Sequence, residues 1–187
     1  MSKRIRVQLN WQSIQDSIND IERYKESLIY KCTILVSELQ KIGIDTAIEH
    51  SGEFGAYIVF KEQIGVEQTA NGAKCCISAK DAKKIIRSWK TKKGGVKTAE
   101  VSPVLMTEFG SGRYAVIDDP TGVAGQGTFP DQKHAFDPDG WWWIDANDSK
   151  NNWQHSYGHV PTYPMHQAVL DMRDKIVEVA RRVFADG

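Results

Sequence analysis

Three histidines and two aspartates crowd residues 145–166, and these are the residue types that hold divalent metals or run hydrolysis. His155 and His159 stand in "QHSYGHVPTYPM", His166 follows, and Asp145 and Asp148 lie just before them. The histidines are four and seven residues apart, with Gly158, Pro161 and Pro164 between them. A helical zinc site instead needs two histidines one turn apart on a single helix face. Two readings stand side by side: a small metal-dependent hydrolase using His155, His159 and Asp145, or a turn whose histidines make structural or interface hydrogen bonds.

Other reactive types are weaker in pattern. Ser111 in "GSG" lacks the flanking positions of a GxSxG nucleophile elbow. "GVAGQG" at 122–127 has the glycines of a phosphate loop without its lysine. Cys75 and Cys76 are adjacent, so on a strand they face opposite ways and cannot clamp one ion. Lys90, Lys92, Lys93 and Lys97 could touch phosphates, which gives a nucleic-acid-binding reading. No aromatic stacking platform interleaves with them, and lysines also blunt the exposed edge of a hairpin.

Trp141, Trp142 and Trp143 carry the strongest surface signal. On a strand, Trp142 opposes its two neighbours, so one tryptophan face packs inward and the other is exposed. Exposed large aromatics favour an interface. Phe129 and Phe136, just upstream, join them as candidate interface residues.

The totals constrain what these residues can serve. The 187 residues suffice for one domain with a core, and 24 acidic against 24 basic side chains leave no net field towards nucleic acid or anionic lipid. The apolar share of 41% is below that of an ordinary globular domain. Three cysteines without a CxxC spacing give no disulfide framework. No apolar run is long enough to span a bilayer and the N-terminus has no apolar signal core, so a soluble protein made in a cytoplasm is expected, without membrane partner or cofactor.

Several elements must position the candidates. "RIRVQL" alternates as an edge strand would. Trp11, Ile14, Ile18, Ile21, Leu28, Cys32, Leu35, Leu39 and Ile42 then fall mostly at steps of three and four, with Tyr24 in the gap. They predict a helix of about 30 residues, roughly 45 Å long, capped by Asn10 and ended or interrupted at Gly43, with "IDTAIEH" as an extension. Two β-rich runs flank Asn71-Gly72, which favours a type I′ hairpin turn. "KKIIRSWK" and "VKTAEV" predict a second hairpin, and "GWWWIDANDSKNNWQ" a third with a polar tip. Pro103 suits the first turn of a short helix, after which Gly110 and Gly112 allow sharp turns. Residues 113–138 read as an extended Gly/Pro-rich loop insertion. Met165, Val169, Met172, Ile176, Val179 and Val183 form the seam of a last helix, with Pro164 at its first position and Thr162 or Tyr163 near its cap. The expected fold is α+β: a small antiparallel sheet packed with long N-terminal and C-terminal helices, in a single domain over 1–187.

"VLMTEFGSGRYA", a Gly-rich stretch with "GQGTFP", then "WWWID" and "HSYGHVPTYPMHQAVLDMRDKIVEVARRVF" together resemble the neck or tail-completion proteins of long-tailed, non-contractile bacteriophages and related prophages. The matching positions are Glu108, Phe109, Gly110 and Gly112, then Gly158, Pro161, Pro164, Met165 and Ala168. The match covers the C-terminal half; the earlier helix and hairpin agree in order. The resemblance implies a non-enzymatic virion subunit at the head–tail junction, forming a homo-oligomeric ring of sixfold or twelvefold symmetry around the DNA passage. Its implied partners are further copies of itself, the tail terminator or tail tube protein on one side, and the head-closure or adaptor and portal proteins on the other. Proximity to genomic DNA would be nonspecific.

Overall fold

A computed structural model of the chain describes residues 10–115 and 137–185. The expected edge strand, the 122–127 glycines, Phe129, Phe136 and all but the ends of the 113–138 insertion lie outside the described residues.

The fold is α+β. Helix α1 (Trp11–His50) runs for 40 residues, about 60 Å at 1.5 Å per residue. The Asn10 side chain caps it by accepting from Ser13 N–H at 2.8 Å. Gly43 neither ends nor interrupts it. A Cβ there would stand 2.6 Å from Ile77 Cδ1 and 2.7 Å from Met172 Sδ, so the missing side chain admits two neighbours and the helix runs on. Ser51 closes it, its hydroxyl donating to the Ile48 carbonyl at 2.7 Å.

Strands β1 (Ile58–Thr69) and β2 (Gly72–Asp81) form the first hairpin. Its register pairs Thr69 with Gly72, so the two loop residues are Ala70 and Asn71 rather than Asn71 and Gly72. Neither has positive φ, whereas a type I′ turn needs it at both central positions, so the expected turn type is not made. Strands β3 (Ile85–Lys90) and β4 (Val96–Val101) form the second hairpin, and β5 (Trp141–Trp143) and β6 (Gln154–Ser156) the third. The small sheet is thus three two-stranded antiparallel sheets. The second and third are tied by Lys90 N–H to the Ile144 carbonyl at 3.0 Å and Ala146 N–H to the Ser88 carbonyl at 3.1 Å. Helix α2 (Pro103–Phe109) follows β4, and helix α3 (Pro164–Ala185) closes the chain.

The C-terminal half of α1 packs against α3 and the first hairpin. Thr46 donates to Asp171 at 2.7 Å, Gln40 donates to the Cys76 carbonyl at 3.2 Å, and Arg182 pairs with Glu38. The buried apolar set among the described residues is small: Ala47, Ile58, Val101, Ala168 and Val179, with Pro103 and Pro164. Two members of the expected α3 seam, Val169 and Ile176, are 56% and 44% exposed. The buried line runs instead through Pro164, Ala168 and Val179. Ala168 and Val179, 1% and 2% exposed, mark the face of α3 turned inward, and the two β-branched residues lie off it.

Candidate functional site

The positions that carry the resemblance meet at one junction, and backbone chemistry holds them there. Helix α2 ends at Phe109 and the chain turns through Gly110 and Gly112, both at positive φ. A Cβ on Gly110 would stand 2.7 Å from Pro161 Cδ and from the Tyr114 carbonyl oxygen. On Gly112 it would stand 2.9 Å from the Tyr157 carbonyl carbon, and on Gly158, at φ 103, 2.5 Å from that of Ser111. Two strands of irregular chain therefore lie backbone against backbone, which only glycine permits. They are stitched by Ser111 N–H to the His159 carbonyl at 3.0 Å, His159 N–H to Ser111 Oγ at 3.0 Å, and Arg113 N–H to the Tyr157 carbonyl at 2.9 Å.

Glu108 completes the junction. Its carboxylate accepts from Met165 N–H at 2.9 Å and His166 N–H at 3.0 Å, the free donors at the start of α3. This anion at a helix N-terminus also meets the positive end of the helix dipole. The cap thus comes from 57 residues upstream of Met165, and not from Thr162, whose buried hydroxyl has no partner. Thr162 and Tyr163 instead donate their N–H groups to the Thr107 carbonyl at 2.8 and 3.0 Å. Pro164 opens α3 as expected. Within this knot Ser111 is buried with its hydroxyl accepting from His159 N–H, and Met165 packs half-buried behind the cap.

The candidate metal ligands are drawn apart. The His155 ring Nε2 donates to the Asp139 carbonyl at 3.1 Å. His159 Nδ1 faces Glu53 at 3.6 Å, and its ring stands edge-on to Phe54 at 4.7 Å. Burial pushes the His159 imidazole below its ordinary range, and Glu53 opposes this less strongly. His166 is exposed. Asp145 accepts from Asn147 N–H, and Asp148 from Lys150 and Asn152 N–H, all within their own turn. The bonds from Asn152 and Lys150 hold the Asp148 carboxyl below its usual range. Among the described residues no group of three or more His, Cys, Asp or Glu side chains converges. Of the lysines, Lys90 reaches across to the Asp148 carbonyl at 2.7 Å and Asn151 Oδ1 at 2.6 Å, which ties the third hairpin's tip to the second hairpin. Cys75 faces α1, its thiol within 3.8 Å of the Val36 carbonyl and its pKa raised by burial first, then by Cys76 and Glu62.

The third hairpin shows the expected alternation. Trp141 and Trp143 are half-buried, and Trp142 is 64% exposed. On that outer face lies a ladder of stacked groups. The Arg113 guanidinium covers the Tyr157 ring at 4.5 Å, Tyr157 meets His155 edge-on at 4.3 Å, and His155 leans on Trp142 at 4.4 Å. Trp153 and Val160 are exposed as well. Arg113, Trp153 and Tyr157 were not among the sequence candidates. Trp153 and Tyr157 were accessible to sequence reasoning as large aromatics flanking a turn, whereas the Arg113 stack depends on the glycine knot. The chain matches no family model, no curated protein and no solved structure.

Proposed function

We propose that this chain is a virion structural subunit, a neck or tail-completion protein that assembles as a ring where tail meets head. The observation that carries the reading is the imbalance of its apolar surface. Among the described residues, nineteen large apolar or aromatic side chains are exposed, while five aliphatic side chains and two prolines are buried. A lone soluble chain rarely leaves that much apolar surface bare, and an assembly subunit covers it with neighbours. The glycine knot supports the same reading. The residues that resemble the phage family are spent on joining α2, the third hairpin and the start of α3, so they present the Trp142 face rigidly. Trp142, Tyr157 and Arg113 belong to the residue types that dominate interface energetics. On this reading the tail terminator or tail tube contacts one side of the ring and the head-closure or portal complex the other, and the chain catalyses no reaction.

The test is a joining assay with heads and tails made in the absence of this chain. Added wild-type chain is expected to produce joined particles, and Trp142→Ala, folded as judged by circular dichroism, is expected to fail. Normal joining without the chain overturns the proposal.

A further inference from the structure

The N-terminal half of α1 carries an apolar stripe that none of the other described elements covers. Trp11 is 78% exposed, Ile14 37%, Ile18 44% and Ile21 55%. The same stripe continues as Leu28, Cys32, Leu35, Leu39 and Ile42 along the half of α1 that α3 and the first hairpin cover. From Trp11 to Ile42 the steps alternate three and four without a break once Lys25 is counted. This is a heptad seam with Trp11, Ile18, Lys25, Cys32 and Leu39 at the a positions and Ile14, Ile21, Leu28, Leu35 and Ile42 at d.

We propose that residues 11–28 of α1 are an oligomerisation arm, forming a parallel coiled coil with the same segment of other copies of this chain. The inference rests on the self-assembly part of the reading above and not on the virion location. Continuity is the first argument. The exposed arm lies on the seam whose next a position after Leu39 is Thr46, buried and donating to Asp171 of α3. The second argument is the one charged seam position. The Lys25 side chain makes no ion pair or hydrogen bond among the described residues, nor does that of Glu22 on the seam's flank one turn earlier. In a parallel, in-register bundle the Lys25 stem lies along the seam and its ammonium reaches outward to a neighbour's Glu22. A single lysine at an a position is a known device for setting register at a cost in stability. The partner that offers matching spacing and the missing carboxylate at that height is another copy. Isoleucine at both a (Ile18) and d (Ile14, Ile21) favours more than two strands.

The test uses the full chain. Sedimentation equilibrium is expected to give a trimer or larger species. Ile14→Glu with Ile18→Glu should weaken association by more than about tenfold, with the thermal midpoint unchanged when both chains are compared at concentrations where they are monomeric, because both sites are exposed there. Lys25→Ile should strengthen association. Ile18→Cys in a Cys32→Ser background should form a symmetric disulfide between copies under mild oxidation, since in-register a positions face each other. If the wild type assembles but the double glutamate variant assembles equally and the Ile18→Cys variant does not cross-link, the arm is overturned while the ring reading stands. A wild-type chain that stays monomeric at its highest soluble concentration overturns both.

Discussion

Gly158→Ala is the sharpest probe of the knot that presents the tryptophan face. Gly158 sits at φ 103, and an added Cβ would lie 2.5 Å from the Ser111 carbonyl carbon and 2.8 Å from Gly112 Cα. Both obstacles are backbone, so no side chain can swing away. The dihedral strain alone costs about 1–2 kcal/mol. Relief requires Ser111 to move, and its N–H and hydroxyl each make a 3.0 Å bond with the His159 backbone. Losing those two adds about 1 kcal/mol each. The expected loss is therefore about 3–4 kcal/mol, a large share of the roughly 5–15 kcal/mol typical of a folded domain. Urea unfolding followed by circular dichroism measures it. Gly65→Ala is the control: nothing lies within 4 Å of its added Cβ and its φ is not positive. That substitution should be neutral or stabilise by about 0.5 kcal/mol. A loss below about 1 kcal/mol for Gly158→Ala would refute the account of the knot, because strain at positive φ by itself exceeds that figure.

Further outcomes follow from the same contacts. Glu108→Gln should lower stability by about 1–2 kcal/mol in urea unfolding, because a neutral amide is a weaker acceptor for two N–H groups at a helix start. Val179→Ala should cost about 2 kcal/mol while Ile176→Ala costs under about 0.5 kcal/mol, since Val179 is 2% and Ile176 44% exposed; equal losses would contradict the buried line assigned to α3. Trp142→Ala should leave unfolding within about 0.5 kcal/mol of wild type, and Trp141→Ala with Trp143→Ala should destabilise clearly, as measured by the same titration. His159 sets a pH dependence. Its folded pKa lies below the unfolded value, so below about pH 6.5 the unfolded chain binds the extra proton and stability falls as pH drops towards the folded pKa. His159→Gln should flatten that part of a stability-against-pH profile, and an unchanged slope would count against burial as the cause.

Local signals in the sequence located most elements because they act within a turn or a hairpin. Asn10 capped α1, Pro103 and Pro164 opened α2 and α3, and the alternation of Trp141 to Trp143 predicted that Trp142 faces away from its neighbours, though not which of the two faces is exposed. Features set by tertiary contact were not legible. Gly43 reads as a stop until Ile77 and Met172 are seen to fill its missing side chain. The α3 seam differs at Val169 and Ile176 because the helix turns Ala168 and Val179 inward, and periodicity alone does not encode which of two adjacent lines is buried. Asn71-Gly72 failed as a turn pair because strand register placed the loop one residue earlier. At the junction, the glycines and prolines were recognisable by type, but Glu108 as the cap of a helix 57 residues away depended on the folded chain. The Arg113–Tyr157–His155–Trp142 ladder likewise exists only once the knot brings its strands together.

On the proposed function, this chain sits where head meets tail. Gold-labelled antibody against the chain, imaged on negatively stained tailed particles, tests it most directly. The account predicts label confined to the head–tail joint of joined particles and absent from the tail tip and the capsid shell. Label distributed elsewhere on the particle, or none on any particle while the free protein is labelled, would contradict it.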